Sequence, residues 1–372
     1  MLTLLAIILL VDSFVLSLAL TFLARKYSLR VGFVSRPASD RFSKNIVPLG
    51  GGIAIFAAIT IIILVSIAIV MFFAVPGRLD WLGKTVTVYT EGFMGVINRL
   101  MLILGLIFAL FLLGLWDDKK HLGPFFKLAV QFVIAICAAW FANIRVEFFI
   151  ENKILTSILS AFWIVLIINS FNFLDNMDGL STGIAVITSS IFFSIAAMNG
   201  QVFISALAIV FIGTLLGFLA FNFPPAKIYM GDAGSLIVGF FVALLSLRTT
   251  YYHEALSGRW YSIFVPLIVL AVPLYDFISV TFLRIMQGKS PFVGDTQHFS
   301  HRIRKHGFTD TQTALILYLA TLCTSLGAAF LYQVNRIGAF LIFIQTIMIL
   351  SIIAVFETTG KNEKRTEKNG TD

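Results

Sequence analysis

The stretch LMLILGLIFALFLLGLWDDKK, residues 100–120, is apolar from Leu100 to Trp116 and then breaks abruptly into two acids and two lysines. A helix needs about 20 largely apolar residues to cross the hydrocarbon of a bilayer. A run of this length and composition therefore reads as a transmembrane helix, with 99–116 as the candidate span. Its end matters as much as its length. A carboxylate at a helix centre in the membrane costs roughly 2.5–3.5 kcal/mol on insertion scales, and two stand side by side here at the margin.

Ten further segments share the pattern, near 2–23, 49–74, 125–142, 154–172, 180–198, 201–221, 233–249, 260–285, 311–333 and 337–356. The chain of 372 residues is 59% hydrophobic and only 12% charged, against roughly a quarter charged in soluble domains. The expectation is an all-α polytopic membrane protein with about eleven transmembrane helices. Residues 1–356 form one membrane-embedded domain, and 357–372 form a polar tail expected to be disordered.

Lysine and arginine set the orientation. With the N-terminus outside, the inner loops hold six in 24–48, three in 117–127, one in 222–232 and five in 284–308, and the tail holds four. The outer loops hold eight. The bias places the N-terminus outside and the C-terminus in the cytoplasm. The first segment has no basic residues before it, and Arg25 and Lys26 follow it, so it reads as a retained span rather than a cleaved signal.

A net charge of +8 invites a nucleic-acid reading, but that needs the basic residues on one soluble face. Here they lie between apolar segments, and topology accounts for them. Cys137 and Cys323 sit inside apolar runs with no metal or disulfide spacing and read as packing residues.

Six acids carry the functional signal: Asp117, Asp118, Asp175, Asp178, Asp232 and Asp276. The orientation puts the first five on the cytoplasmic side, although acids contribute little to the rule that set it. Asp117 and Asp118 end a helix whose C-terminal dipole disfavours anions, so a cation must offset them, either Lys119 and Lys120 or a metal. An isolated pair of this kind is usually a solvated loop. Asn172, Asp175 and Asp178 recur every three residues, on one face of a helical turn. Capping the next helix would need only one of them, with Asp178 the candidate.

Tyr229-Met-Gly231-Asp232-Ala-Gly234-Ser235 opens another span. Asp232 suits an N-cap there, and its glycines let backbone N–H groups approach a phosphate. His298, Ser300, His301 and Arg302 follow the ninth span, where histidine and arginine suit phosphate oxygens, although a basic loop at anionic lipid is the plainer reading. Lys44, ahead of Gly50-Gly51-Gly52, can meet a phosphate in the first inner loop. Asp276 lies inside the ninth span, eight residues before Arg284 and on roughly the same face.

In this order and on one face, these loops resemble the polyprenyl-phosphate N-acetylhexosamine-1-phosphate transferase family (glycosyltransferase family 4). The nearest branch is the bacterial enzymes that load N-acetylglucosamine phosphate onto undecaprenyl phosphate. The resemblance covers about residues 36–308. Each motif is weak alone, but the ordered set is specific.

The resemblance implies a function: transfer of a phospho-N-acetylhexosamine, GlcNAc-1-phosphate foremost, from a UDP-sugar to undecaprenyl phosphate with release of UMP. That is the first membrane step of cell-envelope polysaccharide synthesis. It implies catalytic roles for Asp117, Asp118 and Asp178. Lys44, Asn172, Asp175, Tyr229, His298, His301 and Arg302 are implied to bind substrate. Asp232 and Asp178 are implied metal ligands, with Mg²⁺ as the cofactor and Mn²⁺ as its substitute. The bilayer is a further partner, nucleic acid is not, and a homodimer is admitted. The location implied is the bacterial cytoplasmic membrane with the site on its inner face.

Three residues depart from the family pattern. Ser300 replaces a middle histidine in a loop near the sugar, Asn176 replaces a glycine, and Asn45 stands near a usual histidine. The alternative reading is an ion-coupled secondary transporter. Its ion sites would lie near the midplane, and only Asp276 favours it.

Overall fold

The structure is a computed structural model that describes residues 2–35, 46–78, 84–146, 150–251, 259–290 and 298–369, the stretches 84–88 and 357–369 by their backbone only. Thirteen α-helices account for nearly all of it: α1 (Leu2–Val31), α2 (Gly51–Ile69), α3 (Lys84–Lys120), α4 (Pro124–Phe141), α5 (Lys153–Leu174), α6 (Leu180–Met198), α7 (Val202–Asn222), α8 (Asp232–Arg248), α9 (Val265–Val269), α10 (Ala271–Met286), α11 (Phe299–Arg304), α12 (Asp310–Ala329) and α13 (Arg336–Asn369). A π-helical turn, Val70–Ala74, extends α2, and a 3₁₀ turn, Trp260–Phe264, precedes α9. The one described sheet is a two-stranded antiparallel ribbon, β1 (Val34–Ser35) with β2 (Val47–Pro48).

The polytopic all-α expectation holds. Nine described helices are long and apolar enough to span a bilayer, and the pair Trp260–Val269 and Ala271–Met286, bent by 65°, makes ten. The eleventh expected span coincides with α8, 17 residues long. Buried from Ala233 to Ser246, it packs against α2, α3, α5 and α6 as the axis of the bundle. Its continuous apolar sequence is core rather than lipid-facing surface, and periodicity alone does not separate the two.

The outer helices invert the soluble pattern. On α1 the buried residues are Ser13, Ser17, Thr21 and Ser28, while Ile7, Ile8, Val11 and Val15 face outward. Small polar residues permit close approach within a membrane, where apolar side chains gain nothing by leaving lipid. Ser17 Oγ donates to the carbonyl of Thr214 on α7 at 2.6 Å. The backbone of α13 stays helical past Phe356 through most of the segment expected to be disordered.

Candidate active site

Close packing at one glycine brings the first two motifs together. A Cβ on Gly114 of α3 would lie 2.5 Å from Cα of Ala233, so the two backbones touch where α8 begins. One turn later Asp118 reaches the start of α8. Its Oδ1 accepts the N–H of Asp232 at 2.8 Å, and its Oδ2 accepts that of Ala233 at 3.1 Å. The N-cap position is Gly231, with φ +69° and no side chain to cap with. Asp118 therefore caps α8 from another helix. This corrects the expectation that Asp232 caps it: Asp232 is the first helical residue, and its carboxylate is left for other partners. Both orphan amides need an acceptor, which the sequence supplies 114 positions away.

The cation that offsets this acidic corner is Lys127, on the first turn of α4. Its ammonium bonds Asp117 Oδ2 at 2.7 Å and also bonds Asp232 Oδ2. The expected counter-charges, Lys119 and Lys120, are exposed instead. Asp117 is buried and also accepts the N–H of Leu122 at 2.6 Å. Asn172, at the end of α5, donates from Nδ2 to Asp232 Oδ1 at 2.9 Å and to Ser235 Oγ at 2.8 Å. Four helices thus deliver Asp117, Asp118, Lys127, Asn172, Asp232 and Ser235 to one point at the positive end of α8, a favourable place for an anion.

The remaining motifs adjoin it. Asp178 caps no helix: the N-cap position of α6 is Gly179, with no side-chain cap. Asp178 Oδ2 accepts the N–H of Ala226 at 2.8 Å, tying the α5–α6 turn to the α7–α8 loop. Burial pushes its carboxyl above the usual range, partly offset by that bond. Asp175 is the C-cap residue of α5 on the same turn.

His298 and His301 are both buried. His298 Nδ1 is 2.9 Å from Asp276 Oδ2, and the N–H of Phe299 donates to Asp276 Oδ1 at 3.0 Å. Arg302 donates to Ser279 Oγ at 3.1 Å. Asp276, fully buried on α10, is the anchor of the histidine segment, and nearby Arg284 lies 5.2 Å over the Phe173 ring. Burial first, and the neighbouring His298 second, lower the His301 pKa to about 4.

Tyr229 is half-buried, and its backbone pairs with the end of β2 and the start of α2: its N–H donates to the carbonyl of Pro48 at 2.9 Å, and its carbonyl accepts from Gly51 at 3.0 Å. Lys44 and Asn45 lie outside the described residues; Ser35 and Val47, paired in the ribbon, bracket their segment.

The sequence reading missed Lys127 and Ser235 as site residues. A lone lysine one turn into an apolar helix is the available signal for Lys127. The oxygen donors suit Mg²⁺, which takes one or two carboxylates and completes its shell with waters and phosphates. Asp117 and Asp232 converge on a single ammonium nitrogen and so supply such a pair. No group of three or more His, Cys, Asp or Glu that could hold a metal occurs among the described residues.

The profile of glycosyl transferase family 4 matches residues 100–250, from α3 to the end of α8. The chain is 31% identical to a probable undecaprenyl-phosphate N-acetylglucosaminyl 1-phosphate transferase of Bacillus subtilis, over 93% of this chain and 90% of that protein. It is 26% identical to the undecaprenyl-phosphate alpha-N-acetylglucosaminyl 1-phosphate transferase of Yersinia pestis, over 95% and 90%. It is 27% identical to the enzyme of the same name from Salmonella typhi, over 84% and 80%. Similarity across nearly the whole bundle, with the motif loops gathered at one end of it, has one reading: the chain belongs to glycosyl transferase family 4.

Proposed function

We propose that the chain transfers N-acetylglucosamine 1-phosphate from UDP-N-acetylglucosamine to undecaprenyl phosphate. An oxygen of the lipid phosphate attacks the β-phosphorus of the donor, the diphosphate bond breaks, and UMP leaves. The product is a lipid-linked diphosphosugar. The observation that carries this reading is the convergence of Asp117, Lys127, Asn172 and Asp232 on the N-terminus of α8, which Asp118 holds in place.

Phosphoryl transfer is mostly positioning and charge neutralisation. Lys127, poised between two carboxylates, can follow the charge of an incoming phosphate. The α8 N-terminus adds its dipole. His301 and Arg302 face the diphosphate and sugar, Tyr229 stacks on uracil, and Lys44 closes from the first loop. Asp117 orients Lys127, and Asp175 and Asp178 hold the nucleotide side. Mg²⁺, or Mn²⁺ in its place, would be held by Asp232 and Asp117 and would neutralise the diphosphate. The one-sided distribution of lysine and arginine supports a site on the cytoplasmic face of the bacterial cytoplasmic membrane.

Purified protein in detergent, given undecaprenyl phosphate and UDP-N-acetylglucosamine, releases UMP with Mg²⁺ and not with a chelator. Turnover of the Asp232→Asn variant at the wild-type rate would overturn the site. The transporter alternative has no support: the matching family and the relatives are transferases.

A further inference from the structure

Two of the three departures from the family pattern touch each other. Ser300, fully buried in the first turn of α11, donates from Oγ to Asn176 Oδ1 at 2.7 Å. Asn176 Nδ2 in turn donates to the carbonyl of Phe173 at 2.6 Å. The amide is thereby used at both ends: its nitrogen secures the last turn of α5, and its oxygen receives α11. Neither a glycine at 176 nor an alanine at 300 can make this link. The Phe173 ring also meets the His298 ring edge-on, with centroids 5.5 Å apart, so the two segments touch at a second point.

The link joins two parts that are each anchored elsewhere as well. The turn 175–179 is held by Asp178 to Ala226 and by Tyr318, whose hydroxyl donates to the carbonyl of Gly179 at 2.6 Å. The α11 segment is held to α10 through Asp276 and Ser279. One part carries the acids Asp175 and Asp178, and the other carries His301 and Arg302. A diphosphate donor gripped by both needs their separation held, and small misplacements of binding groups cost rate steeply.

We propose that Asn176 and Ser300 are paired positioning residues that set the acidic turn against the basic α11 helix for the diphosphate of the nucleotide-sugar donor. Ser300 is too buried to read the sugar directly, so its effect on the donor passes through Asn176. The proposal rests on the transferase reading for its substrate, but not for the link itself.

The test is a double-mutant cycle with Ser300→Ala, Asn176→Ala and their combination, read as KM for UDP-N-acetylglucosamine, kcat and thermal midpoint. Each single change is expected to raise donor KM about three- to ten-fold, the scale of one lost hydrogen bond. The double variant is expected to be no worse than the singles, and Ser300→Thr, which keeps the hydroxyl, to restore the wild-type KM. Additive effects, or an unchanged donor KM, overturn the proposal. Hydrogen–deuterium exchange across 173–180 and 299–304 reads the link without turnover. Faster exchange in both segments of Ser300→Ala supports it, and unchanged exchange overturns it. If wild-type protein releases no UMP, the transferase reading falls, while the exchange result still decides the link.

Discussion

Asp118 and Asp232 meet through the backbone: the carboxylate of one accepts the N–H of the other at 2.8 Å. One acid of the site positions the next, and the adjacent pair Asp117–Asp118 divides its labour. Asp117 turns to Lys127, and Asp118 turns to the start of α8. Asp118→Ala is expected to lower stability by about 1–2 kcal/mol, as for a lost helix cap, and to suppress UMP release through displacement of Asp232. Asp118→Asn keeps one acceptor and is expected to fall between. Thermal unfolding in detergent beside the UMP assay checks both, and a wild-type midpoint for Asp118→Ala would remove the capping role.

Lys127 neutralises two carboxylates at once. Lys127→Met leaves Asp117, whose side chain is 10% exposed, without its cation. Breaking such a pair from one side costs about 3–5 kcal/mol when fully buried, and less here because Asp232 is 30% exposed. Activity is expected to drop by about 100-fold or more, on the scale of a lost charge-stabilising donor, with Lys127→Arg recovering part. Steady-state UMP release across the three proteins decides it.

The contact at Gly114 has an internal control on the same helix. Gly114→Ala places a methyl against Ala233 Cα and is expected to cost about 1–3 kcal/mol through overpacking, tilting Asp118 away from α8. A Cβ at Gly105 meets nothing within 4 Å. Gly105→Ala is therefore expected to be neutral or stabilising by about 0.5–1 kcal/mol. Equal midpoints for the two variants would contradict the close approach.

Asp276 holds His298 and the N–H of Phe299 with its two oxygens. Asp276→Asn is expected to lower kcat/KM about ten-fold or more, the scale of a charged hydrogen bond. If the role is anchoring, Asp276→Asn and His298→Ala will not add in a double-mutant cycle read by UMP release; additive losses would separate them.

His301 makes stability depend on pH. Unfolded, its imidazole titrates near 6.5; folded, burial and His298 hold it at about 4. Between these values the unfolded chain binds more protons, so this contribution is present above about pH 6.5 and lost as pH falls toward 4. The thermal midpoint of wild type is expected to fall more steeply over that window than that of His301→Gln. Parallel curves would show that His301 does not titrate in this way.

Much of the architecture was legible in residue order. Apolar runs marked the helices because a bilayer admits no unsatisfied backbone. Three-residue spacing marked Asn172, Asp175 and Asp178. That α8 lies inside the bundle was not legible, because a helix buried in protein and one facing lipid have the same apolar composition. The basic loop hid α11, whose six residues are stabilised by Asp276 and Asn176 rather than by their own sequence.

The sequence by itself determined a membrane bundle, its family, and the acids and histidines that crowd the helix ends, because cost in the bilayer restricts where charge can stand. Only the tertiary structure decided which charge meets which. That Asp118 caps α8, that Lys127 rather than Lys119 or Lys120 answers Asp117, and that Ser300 answers Asn176 all depend on helices distant in sequence touching. The first follows from backbone packing at Gly114 against Ala233, and none of the three is encoded in local spacing.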